Sequence, residues 1–510
     1  MTDASAMPRG GSFAVPPRSH FAAARRSLVR RLALLTVLGG ALAPASRAQC
    51  PDGTPPPCAR PPHAAALAAP APNSVAVLAF DDATHDTSLV WLGDGLAEEV
   101  ATELGAVPGV VVRGAGIVRS ASRATSGDPR RIAQLVSVRY VVEGSFRNVG
   151  PRVHVAARLL AMPAGDEHWG RVYDRPRDSL ATLAGAMASD LATALGASPR
   201  LAARRAPDPQ AYEDYQRGRF FFLRNDYSTA RVLFERAIRR DSAFAPAWAA
   251  VATTWGELAD VTVAPLEGYP KAREAAHRAL ALDSTIADAY AALSGVAMAL
   301  DQDCPEALRL ADRAVALDSA RPDGWIQRSL VLACLGRGAE TIASARHGWE
   351  LDSLSGRAGI YLIDWVIYFS PEHLATTMAL VRGRLPPEWA RAYDAGLAIE
   401  RGDCAGAAQL AHPVSAWLYV EALTCLGRRA EADSIVRAEI ADTTHRYVNP
   451  VGVAWQLVAL GDRDGAIQWL ERGAEERTAW VMWIHVAPEL AALRGDPRFV
   501  ALERRLGLEP

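Results

Sequence analysis

Ala211-Tyr-Glu-Asp-Tyr-Gln-Arg-Gly218, continued through Ala230, Phe234 and Ala237 to Asp241-Ser242, alternates small and large residues at helical spacing in two blocks. Arg224-Asn225-Asp226 divides the blocks, so the stretch predicts two helices joined by a tight turn. The closing dipeptide recurs as Asp283-Ser284, Asp318-Ser319 and Asp352-Ser353, at separations of 42, 35 and 34 residues. An aromatic follows each of the first three six or seven places on: Trp248, Tyr290 and Trp325. The 42-residue step reads as one unit lengthened in its turn, over Ala259 to Tyr269, where Pro265, Gly268 and Pro270 gather. A single hairpin cannot bury its apolar face, whereas stacked hairpins share one core, so the period predicts an α-solenoid.

An aromatic early in the first helix, Ala-x-x-x-large-x-x-Ala in the second and a period near 34 resemble the tetratricopeptide repeat. The resemblance implies a superhelix whose concave face, lined by first-helix side chains, holds a protein or peptide ligand. The array is expected over 207–480, with clear repeats at 211–353 and degenerate ones at 354–480. Ile360 to Pro387 is helical but irregular; the pattern recovers at Ala390–His412, Ala416–Ile440 and Val451–Glu476. Residues 481–510 are expected to cap the open end with a helix or two.

Half of the 510 residues are hydrophobic and the formal charge is −2, so a core is easily buried and no basic field for nucleic acid exists. Lys271 is the sole lysine. It follows Tyr269-Pro270 in a repeat and fits no phosphate-binding loop, kinase strand or Schiff base, which argues against all three enzyme classes. Gly-x-Ser-x-Gly, His-Glu-x-x-His and Gly-x-Gly-x-x-Gly do not occur, nor do Cys-x-x-Cys or paired histidines at ligand spacing. The expectation is a protein that is not an enzyme and uses neither cofactor nor metal.

At the amino end an arginine-rich leader precedes an apolar run of signal-peptide length, Leu32 to Ala43, and small residues before Gln49. This predicts a signal peptide over 1–48, cleavage after Ala48 and export to the periplasm or envelope, or else a signal-anchored form. A Pro-rich linker follows over 49–72. Residues 73–198 read as a small α/β domain. Its expected elements are a strand at Ser74–Phe80, a helix at Trp91–Leu104, a strand at Pro108–Arg113, a helix at Asp128–Val136, a hairpin of Tyr140–Phe146 with Val153–Leu160, and a helix at Ser179–Leu195. The fold class is therefore α+β: a small α/β domain ahead of an all-α solenoid.

Val75-Ala-Val-Leu-Ala-Phe80, Leu92-Gly-Asp-Gly-Leu-Ala-Glu-Glu99, Val138-Arg-Tyr-Val-Val-Glu-Gly-Ser145 and Trp169-Gly-Arg-Val-Tyr-Asp-Arg175 resemble the TolB amino-terminal-like (FlgO-like) domain. In such relatives the domain and the repeats accompany a kinase, a nucleotide cyclase or a DNA-binding module, and no such module is expected from the residues of this chain. The resemblance implies a docking or sensory role.

Cys304 opens a second helix and Cys334 closes the next first helix, and Cys404 and Cys425 repeat that arrangement. Stacked repeats bring such turns together, so bridges Cys304–Cys334 and Cys404–Cys425 are expected, with Cys50–Cys58 in the linker; the other reading is four buried thiols. Tyr212, Tyr215, Arg219 and Phe222, three or four apart, form the candidate partner-binding patch, unless part of it is inter-repeat packing. Asp94, Glu98 and Glu99 suit the start of a helix without further function. His154 and His168 are isolated, and Trp91 and Trp169 fit a core. The function expected is an exported scaffold that holds a polypeptide, within a membrane-associated complex or free of one. The competing reading is a sensory input acting on a separately encoded kinase, cyclase or transcription regulator.

Overall fold

The computed structural model describes residues 70–508 except 85, 87–88, 199–204, 354–355 and 443–445. The leader expected at 1–48 and the pair Cys50 and Cys58 lie outside the described residues.

The first part comprises β1 (Ser74–Val77), β2 (Asp81–Asp82), α1 (Val90–Gly105), β3 (Val111–Val112), α2 (Ala115–Thr125), α3 (Pro129–Val136), β4 (Tyr140–Val149), β5 (Arg152–Ala161), β6 (Asp166–Pro176) and α4 (Leu180–Ala194). The sheet runs β3-β1-β4-β5-β6, with β2 beside the far half of β4. Pairing is parallel around β1 and antiparallel from β4 to β6. All of β1 is buried because helices cover both of its faces. Val75 and Val77 meet one layer, which includes α1 and α4, while Ala76 and Leu78 meet α2 and α3.

Besides the two-residue β2, two elements escaped the sequence reading. Strand β6 is an edge strand with Tyr173 as its one buried residue, so it carries no apolar alternation. Helix α2 buries only Ile117, Val118, Ala121 and Thr125 among small and polar neighbours.

The second part, among the described residues, is eight helical hairpins, the repeat solenoid foreseen from the period. Their pairs are α5 (Pro209–Phe222) with α6 (Tyr227–Arg240), α7 (Ala245–Leu258) with α8 (Pro265–Leu282), α9 (Ala287–Val296) with α10 (Cys304–Leu317), and α11 (Pro322–Cys334) with α12 (Gly338–Leu351). They continue with α13 (Gly356–Phe369) and α14 (Leu374–Val381), α15 (Pro387–Glu400) and α16 (Cys404–Ala411), α17 (Ala416–Cys425) and α18 (Arg429–Ala441), then α19 (Pro450–Ala459) and α20 (Arg463–Glu475). Several second helices begin at capping aspartates: Asp226, Asp303, Asp403 and Asp462 each accept a backbone N–H three residues on. Together these parts make the fold α+β.

The lengthened turn of the second hairpin is shorter than expected. It spans 259–264, and Gly268, Tyr269 and Pro270 belong to α8, which starts at Pro265 because proline suits a first helical position. Helix α9 runs into a π-helical turn at Ala297–Asp301. The carboxyl end holds one helix, α21 (Pro497–Arg505), preceded by 3₁₀ turns at Ala479–Trp483 and Pro488–Leu490, since Pro488 and Pro497 interrupt helical continuation.

This end returns to the early repeats. Trp483 Nε1 donates to Leu330 O at 2.9 Å and Gln302 Nε2 to Ala474 O at 3.3 Å. One apolar cluster thus includes Ala252, Val331, Leu418, Ile467 and Leu508. The cysteines lie as the repeat geometry implied, with Cα–Cα separations of 6.3 Å for Cys304 and Cys334 and 5.7 Å for Cys404 and Cys425, within bridging range. No helix among the described residues is long and apolar enough to cross a membrane.

Candidate functional site

Helix α5 serves both parts of the molecule. One side packs in the first repeat, where the Tyr215 ring meets Phe234 and Phe244 at 5.8 and 5.0 Å. The other lies along α1, and Gly95 permits the approach: a Cβ there would sit 2.5 Å from the Gln216 side-chain oxygen. Tyr212 enters the α/β core and is 4% exposed. Its hydroxyl donates to Glu99 Oε2, which also accepts from Gln216 Nε2 at 3.0 Å. Arg219 pairs with Glu98, which has Arg119 at 3.7 Å, and Arg224 reaches Asp94 at 3.5 Å. The Arg217 guanidinium lies 5.3 Å from the Trp91 ring centroid.

The four residues expected to form one exposed patch are therefore divided. Tyr212 is buried in the domain interface, which corrects its assignment to an open surface. Tyr215, Arg219 and Phe222 are half-buried and line the trough described below, Arg219 while paired with Glu98 and Phe222 edge-on against Tyr227 at 5.2 Å. The patch reading missed the α/β partner because nothing in α5 alone reveals a second packing face.

Adjacent carboxyls of α1 shift in opposite directions. Burial, reinforced by Glu103 and Glu98 and opposed by Arg219 and the Gln216 hydrogen bond, pushes Glu99 up to about 8. Burial also disfavours the Glu98 anion, but Arg219, Arg119 and Arg321 outweigh it and hold Glu98 below its ordinary value. At neutral pH Glu98 is ionised and Glu99 is mostly protonated.

Between the α/β domain and the first helices of the repeats lies a trough of about 2070 Å³. Three of its charged side chains come from corresponding repeat positions: Asp288, Asp323 and Arg357 are each the second residue of α9, α11 and α13. Arg321 bridges Asp288 at 3.1 Å and Asp323 at 3.3 Å; Arg357 bridges Asp323 at 3.3 Å and Glu257 at 2.9 Å. Asp288 chiefly raises Arg321 and Glu257 chiefly raises Arg357, so both stay cationic. They remain 41% and 40% exposed, open to water although surrounded by the walls. Beside Arg357 stands Tyr361, its ring centroid 5.9 Å from the guanidinium, and Tyr368 lines the same trough with the buried Trp365 and Trp389. The same 34-residue beat that revealed the fold could have located this ladder.

The chain's end closes one side of the trough. Trp480 lies 5.2 Å from Trp455, and Trp483 lies 5.9 Å from Trp365. Asp260, buried in the lengthened turn, accepts from Tyr269 Oη at 2.8 Å, Tyr447 Oη at 3.2 Å and Ala479 N at 2.8 Å.

The remaining candidates take structural places. His154 lies 3.7 Å from Asp174, His168 meets Ala194 O at 3.1 Å, Trp91 is buried, and Trp169 packs against the α/β core. Among the described residues no three His, Cys, Asp or Glu side chains are grouped to hold a metal.

No family model matches the chain. A protein of Rhizobium meliloti (strain 1021) named Putative adenylate cyclase 3 is 31% identical over 194 residues, which take in 36% of this chain and 32% of that one. The chain thus spans about a third of that curated relative's length. Among solved structures, a thermophilic TPR protein of Thermus thermophilus is 20% identical over 37% of this chain and 98% of that one, with a TM-score of 0.32. Yeast Tom70 is 17% identical over 59% of this chain and 68% of that one, with a TM-score of 0.35.

Proposed function

We propose that the protein is a non-enzymatic scaffold that holds an extended polypeptide segment in the trough. The observation that carries this reading is the ladder Asp288–Arg321–Asp323–Arg357–Glu257 beside Tyr361 in a water-open concavity that Tyr368 also lines. Backbone amides and mixed side chains of a polypeptide suit such a surface of alternating charge and aromatic rings, and first helices of a solenoid present it at regular spacing.

The α/β domain, TolB amino-terminal-like by its motifs, docks on the first repeat and forms one wall. Export to the envelope is part of the proposal; the leader pattern and the two cysteine pairs at bridging separation support it. A second reading, sensory input to a separately encoded effector, is favoured by the likeness to the cyclase-named protein.

The test is affinity capture from an envelope extract with wild type and with Arg357→Ala/Tyr361→Ala. Removing two anchors should weaken retention of a trough-bound polypeptide by on the order of 1 to 3 kcal/mol while helical content is unchanged. Equal recovery by both proteins would refute the trough as the site. Co-purification of a membrane kinase or cyclase would favour the second reading, and turnover of a substrate would overturn the non-enzymatic one.

A further inference from the structure

We propose that Cys425 is a thiol-modification site: a low-molecular-weight thiol exchanges with the Cys404–Cys425 bridge and stays on Cys425 as a mixed disulfide, while the Cys304–Cys334 bridge is closed to the same reaction. The two bridges share one construction. Cys304 and Cys404 are each the first residue of a second helix, α10 and α16, behind the capping aspartates Asp303 and Asp403. Cys334 and Cys425 are each the last residue of a first helix, α11 and α17, and Leu-Gly-Arg follows both, with the glycine at φ 66° and 75°. With sequence and local backbone matched, a difference in reactivity has to come from what covers each pair.

The returning carboxyl end covers the first pair. Gln302, just before Cys304, donates to Ala474 O at 3.3 Å, and Trp483 donates to Leu330 O of α11 at 2.9 Å. At the turn after Cys334, a Cβ on Gly336 would lie 3.8 Å from His485 Nε2. Cys304 and Cys334 are accordingly 4% and 3% exposed and belong to the largest apolar cluster. The second pair has no such cover among the described residues. Cys425 is exposed, Cys404 is half-buried, Leu426 beside them is exposed, and a Cβ on Gly427 would meet no atom within 4 Å. Exchange requires the attacking sulfur to reach its target, so access separates two otherwise equivalent bonds.

The thiolate attacks the exposed Cys425 Sγ. The S–S bond breaks, and its electron pair goes to Cys404 Sγ, which leaves as a thiolate at the start of α16, where first-turn N–H groups and the helix dipole favour an anion. One disulfide replaces another, so no oxidant or reductant beyond the small thiol is consumed. Helix α16 thereby loses its tether to α17. It has 8 residues and buries Ala407, Ala408 and Ala411, whereas α10 has 14 and buries Leu310 as well as three alanines and Cys304, so little apolar area holds α16 once the bridge opens. This chemistry is independent of what the trough holds.

The full chain, purified without reductant and mapped first to show both bridges, is incubated with reduced glutathione, quenched in acid and mapped again by mass spectrometry. Glutathione should appear on Cys425, with Cys404 open to alkylation, faster than any change at Cys304 or Cys334 by on the order of tenfold or more, and sub-denaturing urea should not alter that rate. Hydrogen exchange should then accelerate over Cys404–Ala411 by on the order of tenfold and stay as before over Cys304–Leu317. Cys404→Ser, which leaves Cys425 as a thiol, should take up the same adduct from oxidised glutathione. An adduct on Cys404 instead, equal rates at the two pairs, a rate that climbs with urea, no reaction in the folded protein, or a starting protein without the Cys404–Cys425 bridge would each overturn the proposal.

Discussion

Replacing Glu99 by Gln should stabilise the protein at alkaline pH and leave it nearly unchanged in weak acid. The carboxyl rises from an ordinary value of 4.5 to about 8, chiefly because it is buried, with Glu103 and Glu98 adding repulsion. A raised carboxyl pKa means that the folded chain keeps a proton which the unfolded chain has released. The stabilisation is therefore complete below about 4.5, declines by about 1.4 kcal/mol per pH unit above it, and is gone beyond about 8. Full linkage over that window would be on the order of 4 to 5 kcal/mol, and the water reaching this half-buried group reduces it to about 1 to 3 kcal/mol. Glutamine carries no charge at any pH, and its carbonyl can still accept from Tyr212 and Gln216. The assay is denaturant unfolding of both proteins from pH 4.5 to 8.5 at fixed ionic strength, where the difference between them cancels the other titrating groups. Glu98 has the opposite sign: its lowered value adds stability above the ordinary carboxylate range that is lost as pH falls. A difference that stays flat across the range, or a variant less stable than wild type at pH 8, would refute the reasoning.

Reductant should lower the melting temperature. By chain entropy, bridges closing separations of 30 and 21 residues contribute roughly 3 to 4 kcal/mol each, and peptide mapping without reductant should recover Cys304 with Cys334 and Cys404 with Cys425. Asp260→Ala should cost about 2 to 4 kcal/mol, because it leaves Tyr269, Tyr447 and Ala479 N without their shared acceptor, and proteolysis should show the carboxyl end freed first. Trp483→Phe removes the bond to Leu330 O and part of the contact with Trp365, for a loss of about 1 to 2 kcal/mol in unfolding experiments.

The solenoid was legible because each hairpin repeats one constraint: small residues such as Ala230 and Ala237 where helices touch, a large one such as Phe234 between them, and an aspartate at the turn. The cysteine pairs followed from the same stacking. The α/β domain was legible where burial is two-sided, as in β1, and missed where it is not, as in β6. The candidate site was only partly readable. Tyr215, Arg219 and Phe222 do line the trough, but Tyr212 is claimed by α1 through Glu99 and Arg219 is tied to Glu98, contacts between residues more than a hundred positions apart that no local period encodes. The return of Trp480 and Trp483 to the early repeats is equally non-local. By contrast, Asp288, Asp323 and Arg357 share a repeat position, so aligning the units on their first helices would have found them.

The central claim is that a polypeptide lies in the trough, and site-specific photo-cross-linking tests it most directly. A benzophenone amino acid placed at Tyr361, on the trough wall, and separately at Val232, exposed on α6, reports contact from each position in cell extract. Mass spectrometry should identify cross-linked polypeptide from the Tyr361 position, reduced when Arg357→Ala is added, and none above background from Val232. Cross-links from Val232 but not from Tyr361 would contradict the account.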